Sequence, residues 1–285
     1  MRIEAGAFSS AKILPFRSPL EPQQEDDLAG IELFPKDIGE FEHRLKSLSE
    51  RQKSYERSLF WDDIKEGMKD WALFPYIPLT LSAPLVKKDK STLVIGPGFG
   101  TTPLYYRPTE LWFQNEGHRT VVYRPKAFIN IEPISSMDEH YMEFLSKERH
   151  RSDGPLDVLA HSKAGLLNRY VSIKYPDEYR KLVGRVIYLG SPIPSWVNSA
   201  IGEMYLRCLK WFAKDDFGLT NLLDSIDWDG QENVSSVGSF NDAIMRGDFT
   251  GFVHIVDAPH TSLNVNFVSL RESSKILDEP LRMAA

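Results

Sequence analysis

Short apolar runs alternate with longer segments of helical periodicity along the chain from about residue 90 onward. The apolar runs predict strands at Thr92–Ile95, Thr120–Tyr123, Leu156–Ala160, Val183–Leu189, Val234–Val237 and Phe252–Val256. The periodic segments predict helices at Met137–Arg149, Ala164–Lys174 and Ser262–Leu277. This alternation predicts an α/β fold, in which a mostly parallel sheet is covered on both faces by helices.

The chain before residue 85 has a different pattern. Prolines interrupt any regular helix in residues 1–35, at Pro15, Pro19, Pro22 and Pro35. Apolar residues then recur at helical spacing in two segments, at Ile38, Phe41, Leu45 and Leu48 and at Trp61, Ile64, Met68 and Trp71. We therefore expect an N-terminal arm with two amphipathic helices over residues 1–85 and a main α/β domain over residues 86–285. The apolar faces are expected to pack on the main domain or, alternatively, on a second subunit.

The alternation of strand and helix patterns stops between Pro192 and Asp229. This segment has no strand pattern and carries many large apolar residues, among them Trp196 and Trp211. It predicts a helical cap over about residues 192–229. The two tryptophans are candidates for contact with a substrate that binds beneath the cap.

A serine stands at a predicted junction between a strand and a helix. The run Leu156–Ala160 leads into His161 and Ser162, and the helical pattern begins directly afterwards. Ala160 and Ala164 lie two residues before and two residues after the serine. Small residues at these positions allow the tight, strained turn that exposes a nucleophilic hydroxyl at the amino end of a helix.

A glycine-rich loop follows the first predicted strand, in the order Gly96-Pro97-Gly98-Phe99-Gly100. Glycines at this spacing are also found in dinucleotide-binding turns, which lead directly into a helix. Here Pro103 and Pro108 are expected to interrupt the following segment, and Arg124 stands where such a site needs an acidic residue. These features disfavour a dinucleotide-binding turn.

The strand, the serine turn and the glycine loop together resemble the α/β-hydrolase family, in particular its lipase-like and esterase-like members. The likeness covers about residues 90–275, with alanines where the usual turn has glycines and Pro97 where histidine is usual. The resemblance implies that Ser162 is the nucleophile of a serine hydrolase. It also implies that the backbone N–H groups of Phe99 and Lys163 form the oxyanion hole. The Lys163 side chain is expected to project into solvent or, alternatively, to attract an anionic substrate.

The family places its catalytic histidine after the last strand, where His260 stands in this chain. His254 lies inside the strand and is expected to be a packed residue. Asp242 follows the strand Val234–Val237 and is the candidate triad acid, because its surroundings resemble the family pattern. Asp257, three residues before His260, is the rival candidate.

The composition excludes some other classes of function. The formal net charge is −6 and the basic runs, such as Lys87-Lys88-Asp89-Lys90, are short, so we expect no nucleic-acid partner. Cys208 is the single cysteine, which excludes an internal disulfide and the paired cysteines of zinc sites. No metal or cofactor is predicted. No secretory signal or membrane-spanning stretch is recognisable, so a cytoplasmic location is expected.

The resulting hypothesis is a serine hydrolase that cleaves a carboxylic ester, with a hydrophobic acyl ester as substrate and without a cofactor. Ser162 forms the acyl-enzyme, His260 acts as general base, and Asp242 orients the imidazole. An acyltransferase or thioesterase of a biosynthetic pathway is one alternative. A non-catalytic scaffold that binds a ligand or partner is another, and oligomerisation stays open.

Overall fold

A computed structural model describes residues 65, 68, 69, 90–127, 129–191, 233–239, 252–256, 258 and 260–281. Over these residues the chain forms a six-stranded sheet in which all strands are parallel. The strands are β1 (Thr92–Gly96), β2 (Arg119–Val122), β3 (Leu156–His161), β4 (Val183–Leu189), β5 (Val234–Ser239) and β6 (Phe252–Val256). Their order across the sheet is β2-β1-β3-β4-β5-β6. The predicted parallel sheet is confirmed, and each predicted strand matches an observed one.

The helices are α1 (Arg107–Asn115), α2 (Ile134–His150), α3 (Lys163–Lys174), α4 (Pro176–Leu182) and α5 (Phe267–Asp278). Short 3-10 turns cover Pro103–Tyr106 and His260–Ser262. The three predicted helices correspond to α2, α3 and α5. The third starts at Phe267 instead of Ser262, because the Asn266 side chain caps it by accepting from the N–H groups of Val268 and Ser269.

The expectation that Pro103 and Pro108 interrupt the chain is wrong. Pro103 begins the 3-10 turn, and Pro108 is the second residue of α1. Proline fits the first turn of a helix, because the N–H groups there have no partner within the helix. The two prolines therefore start helical structure after the glycine loop.

The sheet separates two apolar layers. One layer joins the strands to α2, α3 and α4 through residues such as Val158, Tyr141 and Leu167. The other joins the opposite face to α1 and α5 through Leu159, Phe113 and other residues. Successive strand residues point to opposite faces, so β3 is buried on both sides. Burial on both sides explains why the strands are continuous apolar runs.

The direction of the sheet order changes at the centre of the sheet. The chain passes from β1 to β2 on one side and then returns to place β3 on the other side of β1. Ligands of open parallel sheets bind outside the carboxyl ends of the strands at such a switch point. The glycine loop after β1 and the serine after β3 both lie at this edge.

The predicted N-terminal helices and the cap lie largely outside the described residues. Lys65, Met68 and Lys69 have helical backbone, and the Met68 side chain is 70% exposed. The packing of the arm on the main domain stays a prediction. The cap prediction keeps a topological basis, because the chain leaves the carboxyl end of β4 at Leu189 and enters β5 at Val234.

Candidate active site

Ser162 occupies a strained turn between β3 and α3. Its backbone has φ 51° and ψ −121°, and it is the one non-glycine residue with positive φ in the part of the chain that the structure describes. Such a conformation costs free energy and persists where the surrounding structure holds it. The Ser162 N–H donates to the carbonyl of Leu189 at 3.0 Å, which ties the turn to β4. The geometry is that of a nucleophile elbow.

The alanines on either side of Ser162 fit because the neighbouring strand carries a glycine. A Cβ atom on Gly96 would lie 2.6 Å from the Cβ of Ala164 and 3.7 Å from the Cα of Ala160. The first distance is shorter than side chains tolerate. Gly96 in β1 thus makes room for Ala164, where the resembled motif has glycine.

His260 lies against Ser162, although 98 residues separate them in sequence. Its Nε2 is 3.2 Å from the Ser162 Oγ, and both residues are buried. The 3-10 turn that begins at His260 follows β6, and the Tyr105 hydroxyl donates to the carbonyl of Thr261 in this turn. The structure therefore brings together the serine and the histidine that the sequence predicts as nucleophile and base.

The two candidate acids, Asp242 and Asp257, lie outside the described residues, as do the candidate substrate contacts Trp196 and Trp211. The strand ends nevertheless constrain the acids. Asp242 comes three residues after the end of β5, and Asp257 directly follows β6. Both positions follow carboxyl ends of strands, at the edge of the sheet that carries Ser162. The assignment of Asp242 stays a prediction.

The glycine loop contacts the serine turn closely. The Gly98 N–H donates to the Tyr106 hydroxyl at 2.6 Å. A Cβ atom on Gly98 would lie 3.0 Å from the His161 Nδ1 and 3.2 Å from the Ser162 Cβ. The Gly100 N–H donates to the carbonyl of Asn130 at 3.0 Å. Because these two amides already have partners, the loop does not offer them to a pyrophosphate as a dinucleotide-binding turn does.

His161 does not face the serine hydroxyl but bonds to Tyr106 on its other side. The Tyr106 hydroxyl lies 2.6 Å from the His161 Nδ1. Since this hydroxyl accepts from Gly98, its own proton points to Nδ1, and the imidazole proton is on Nε2. Burial, together with the nearby His260, lowers the pKa of His161 to about 3. His161 is therefore a neutral, fixed group whose ring centroid lies 5.4 Å from that of His260.

Lys163 follows the nucleophile and is buried, so the expectation that its side chain projects into solvent is wrong. Its Nζ donates to the carbonyl of Glu132 and lies 3.4 Å from the Asn130 Oδ1. The same Nζ lies 5.4 Å from the centre of the Phe99 ring. The side chain points into the protein beneath the glycine loop, where it is already engaged by these groups.

Asn130 and Tyr106 are functional candidates that the sequence interpretation missed. The Asn130 Nδ2 donates to the carbonyls of Pro97 at 2.7 Å and Gly98 at 3.1 Å. A polar residue between Ile129 and Ile131 is a weak signal that was available in the sequence. Tyr106 gave no signal, because a buried tyrosine hydroxyl is recognisable only from its partners.

Three other histidines have partners away from Ser162. The His254 Nδ1 lies 3.2 Å from Glu272 on α5, in agreement with its predicted structural role. The His140 Nδ1 lies 3.0 Å from the Tyr123 hydroxyl. The His118 Nδ1 lies 3.1 Å from the carbonyl of Ser91, at the amino end of β1. These contacts leave His260 as the histidine that meets the serine among the described residues.

Within the described ranges, no group of three or more histidine, cysteine, aspartate or glutamate side chains is arranged to hold a metal ion. In the same ranges no helix has the length and apolar character that a membrane crossing requires.

The parallel sheet, the switch point and the serine turn define an α/β-hydrolase fold, which one solved structure shares at TM-score 0.50. No family profile and no curated protein matches the sequence. The propeptide form of the Bacillus licheniformis lipase BlEst2 is similar at TM-score 0.50 and 13% identity, covering 71% of this chain and 54% of that one. Its mature form has TM-score 0.49 and 13% identity, with 68% and 95% covered. Aspergillus fumigatus lipase B has TM-score 0.48 and 14% identity, with 70% and 55% covered. At 13% identity the likeness to the propeptide form shows the fold alone, and the activity is a separate question.

Proposed function

We propose that this protein is a serine hydrolase that cleaves a carboxylic ester through an acyl-enzyme on Ser162. The observation that carries the proposal is the 3.2 Å contact between the His260 Nε2 and the Ser162 Oγ at a strained elbow. A serine hydroxyl is a weak nucleophile until a base removes its proton. This pair meets the distance that such a proton transfer needs.

In the proposed reaction, Ser162 attacks the ester carbonyl while His260 takes the hydroxyl proton. The carbonyl becomes a tetrahedral centre with a negatively charged oxygen. His260 then gives its proton to the leaving alcohol, and the acyl group stays on Ser162. Water, activated by the same histidine, attacks the acyl-enzyme and releases the carboxylic acid.

The oxyanion is proposed to be bound by the backbone N–H groups of Phe99 and Lys163. Lys163 is the first residue of α3, where the helix dipole favours negative charge. Asp242 is proposed to orient His260, with Asp257 as the rival. The burial of Ser162 and His260 lowers the local dielectric constant and so strengthens these interactions.

Covalent labelling tests the proposal directly. A fluorophosphonate probe should label the wild-type protein at one serine, and Ser162→Ala should abolish both the label and ester hydrolysis. His260→Ala should lower turnover by a similar factor, because members of such a unit act together. Of the two candidate acids, Asp242→Asn should lower turnover by about ten-thousand-fold, and Asp257→Asn should have much less effect.

Nitrophenyl esters of increasing acyl length, with one acyl thioester, provide the substrates. Preference for the thioester would favour the thioesterase alternative. A folded Ser162→Ala variant that retains hydrolysis, judged by circular dichroism and activity, would show that Ser162 is not the nucleophile. In that case the non-catalytic scaffold becomes the better interpretation.

A further inference from the structure

We infer that Lys163 is a positioning residue for the oxyanion hole, which acts with Asn130 to join the glycine loop to the serine elbow. This inference rests on the proposed function, since it concerns the two backbone donors named there. Those donors belong to separate segments. The Phe99 N–H lies on the loop after β1, and the Lys163 N–H lies at the start of α3. Their spacing must be fixed before a substrate arrives, because catalysis depends on preorganised donors.

Lys163 belongs to one of these two segments and contacts the other. Its backbone belongs to the elbow, and its buried side chain runs beneath the loop, where the Nζ lies 5.4 Å from the centre of the Phe99 ring. An ammonium over an aromatic face is attracted by the ring electrons, more strongly where water is excluded. One residue thus links the elbow with the residue that carries the other proposed donor.

Asn130 extends the link to the rest of the loop. Its side-chain oxygen lies 3.4 Å from the Lys163 Nζ, and its Nδ2 donates to the carbonyls of Pro97 and Gly98. Its backbone also pairs with the loop, since its N–H donates to Thr101 at 2.9 Å. The loop is therefore held by Asn130, and Asn130 is held by Lys163. The Lys163 Nζ also donates to the carbonyl of Glu132, two residues after Asn130, which holds the lysine side chain against the segment that carries Asn130.

A buried lysine is costly to fold, because its charge must leave water. An apolar residue at position 163 would avoid this cost, so stability alone does not favour lysine here. The arrangement instead orients the peptide between Gly98 and Phe99 through the carbonyl of Gly98. Since that carbonyl and the Phe99 N–H belong to the same planar peptide unit, holding one fixes the direction of the other.

The test compares Lys163→Met and Asn130→Asp with the wild type. Methionine keeps the length of lysine without its charge, and aspartate keeps an acceptor for Lys163 but removes the donor to the loop carbonyls. Each variant should lower kcat/KM for a nitrophenyl ester by about 10- to 100-fold, mainly through kcat, because the oxyanion forms only in the transition state. The Ki of a matched trifluoromethyl ketone, which forms a tetrahedral adduct on serine, should rise by a similar factor. The binding of a non-hydrolysable ether analogue should change little.

Lys174→Met is the matched control. Lys174 is the last residue of the same helix and also lies over aromatic rings, at 5.6 Å from Tyr170 and 5.2 Å from Tyr175. It pairs with Asp138, away from the site. This variant should keep kcat/KM within about twofold of the wild type, since Lys174 lies at the opposite end of α3 from the serine elbow.

A folded Lys163→Met protein with unchanged kcat/KM and unchanged ketone Ki overturns the inference. Lower activity with an unchanged ketone Ki overturns it as well, because the loss then lies outside the oxyanion hole. If Lys163→Met does not fold, Asn130→Asp decides by the same readouts. If the probe labels the wild type and the wild type is active, the proposed function stands. The results with the variants then test the inference about Lys163 alone. An inactive wild type without a label overturns the proposed function and this inference together.

Discussion

The side chains of the three adjacent residues 161–163 point in different directions and contact different groups. Ser162 points toward His260, and Lys163 runs beneath the glycine loop. His161 bonds to the Tyr106 hydroxyl. The pattern around the serine was sufficient to predict the elbow. The directions of His161 and Lys163 were not predictable, because their partners Tyr106 and Asn130 lie 55 and 33 residues away in sequence.

The neutral state of His161 gives a prediction about stability and pH. Its folded-state pKa of about 3 lies below the ordinary value of 6.5. Between these values the unfolded chain binds a proton that the folded protein does not, so the free energy of unfolding falls as the pH falls below 6.5. Each pH unit should cost about 1.4 kcal/mol, or about 2 kcal/mol from pH 6.5 to pH 5.

His161→Gln removes this contribution while it leaves an acceptor for the Tyr106 hydroxyl. The free energy of unfolding of the wild type, relative to that of the variant, should therefore fall by about 2 kcal/mol from pH 7.5 to pH 5. Urea unfolding at both pH values measures it. Burial also lowers the pKa of His118 and raises that of Asp157, but both groups are present in the two proteins and cancel in the difference. If the free energies of unfolding of the two proteins change equally with pH, the pKa of His161 is not lowered in the folded protein.

The accuracy of the sequence interpretation differs between strands and helices. Strands of a parallel sheet are buried on both faces, so their apolar runs are unambiguous, and β4 and β6 agree with prediction at both ends. Helices α1 and α4 were missed. Each has a proline in its first turn, at Pro108 and Pro176, and Pro108 was interpreted as a break. The chemistry of helix starts explains the error.

The packing of α3 against the segment after β4 gives a prediction at the scale of elements. A Cβ atom on Gly165 would lie 2.3 Å from both the Cβ and the Oγ of Ser191. The Ser191 hydroxyl donates to the carbonyl of Ala160, so it is not free to move away. Gly165→Ala should displace α3, which begins at the elbow. We expect a loss of about 1–3 kcal/mol in the free energy of unfolding, together with lower activity.

Gly154→Ala is the control for this prediction. No atom lies within 4 Å of a Cβ at that position, so the added methyl group meets open space. Its free energy of unfolding should stay within about 0.5 kcal/mol of the wild type, as for most surface changes. Chemical denaturation of both variants provides the measurement. Equal stability of the two variants would show that α3 accommodates the methyl group without strain.

At the scale of the whole molecule, topology explains why distant residues converge. The loop after β1, the elbow after β3 and the turn after β6 all lie at the carboxyl edge of one sheet. The sequence predicted that the glycine loop, the serine and the histidine each follow a strand, but it did not predict which strands are neighbours in the sheet. It could not decide between Asp242 and Asp257, since both follow strand ends at this edge. The choice depends on loop conformation, which apolar patterns do not encode.

The same topology gives the last prediction, which concerns residues 192–229 as a cap over the site. The chain leaves β4 at Leu189, at the edge that carries Ser162, before it enters β5. Beside the glycine loop, the Leu104 and Ile129 side chains are 74% and 41% exposed, which adds apolar surface at this edge. A long acyl chain could bury this surface together with Trp196 and Trp211, and each buried methylene contributes about 0.8 kcal/mol.

Trp196→Ala and Trp211→Ala should therefore lower kcat/KM for an octanoyl ester by about tenfold more than for an acetate, because only the longer chain reaches the apolar contacts that are lost. A series of nitrophenyl esters from acetate to decanoate measures this preference. Trp112→Ala is the matched control: Trp112 lies on α1, where its Nε1 donates to the Ser274 Oγ on α5 at 2.9 Å. That variant should lose stability without a change in chain-length preference. If the cap variants lose the same factor on every ester, the tryptophans support the fold and do not contact the acyl chain.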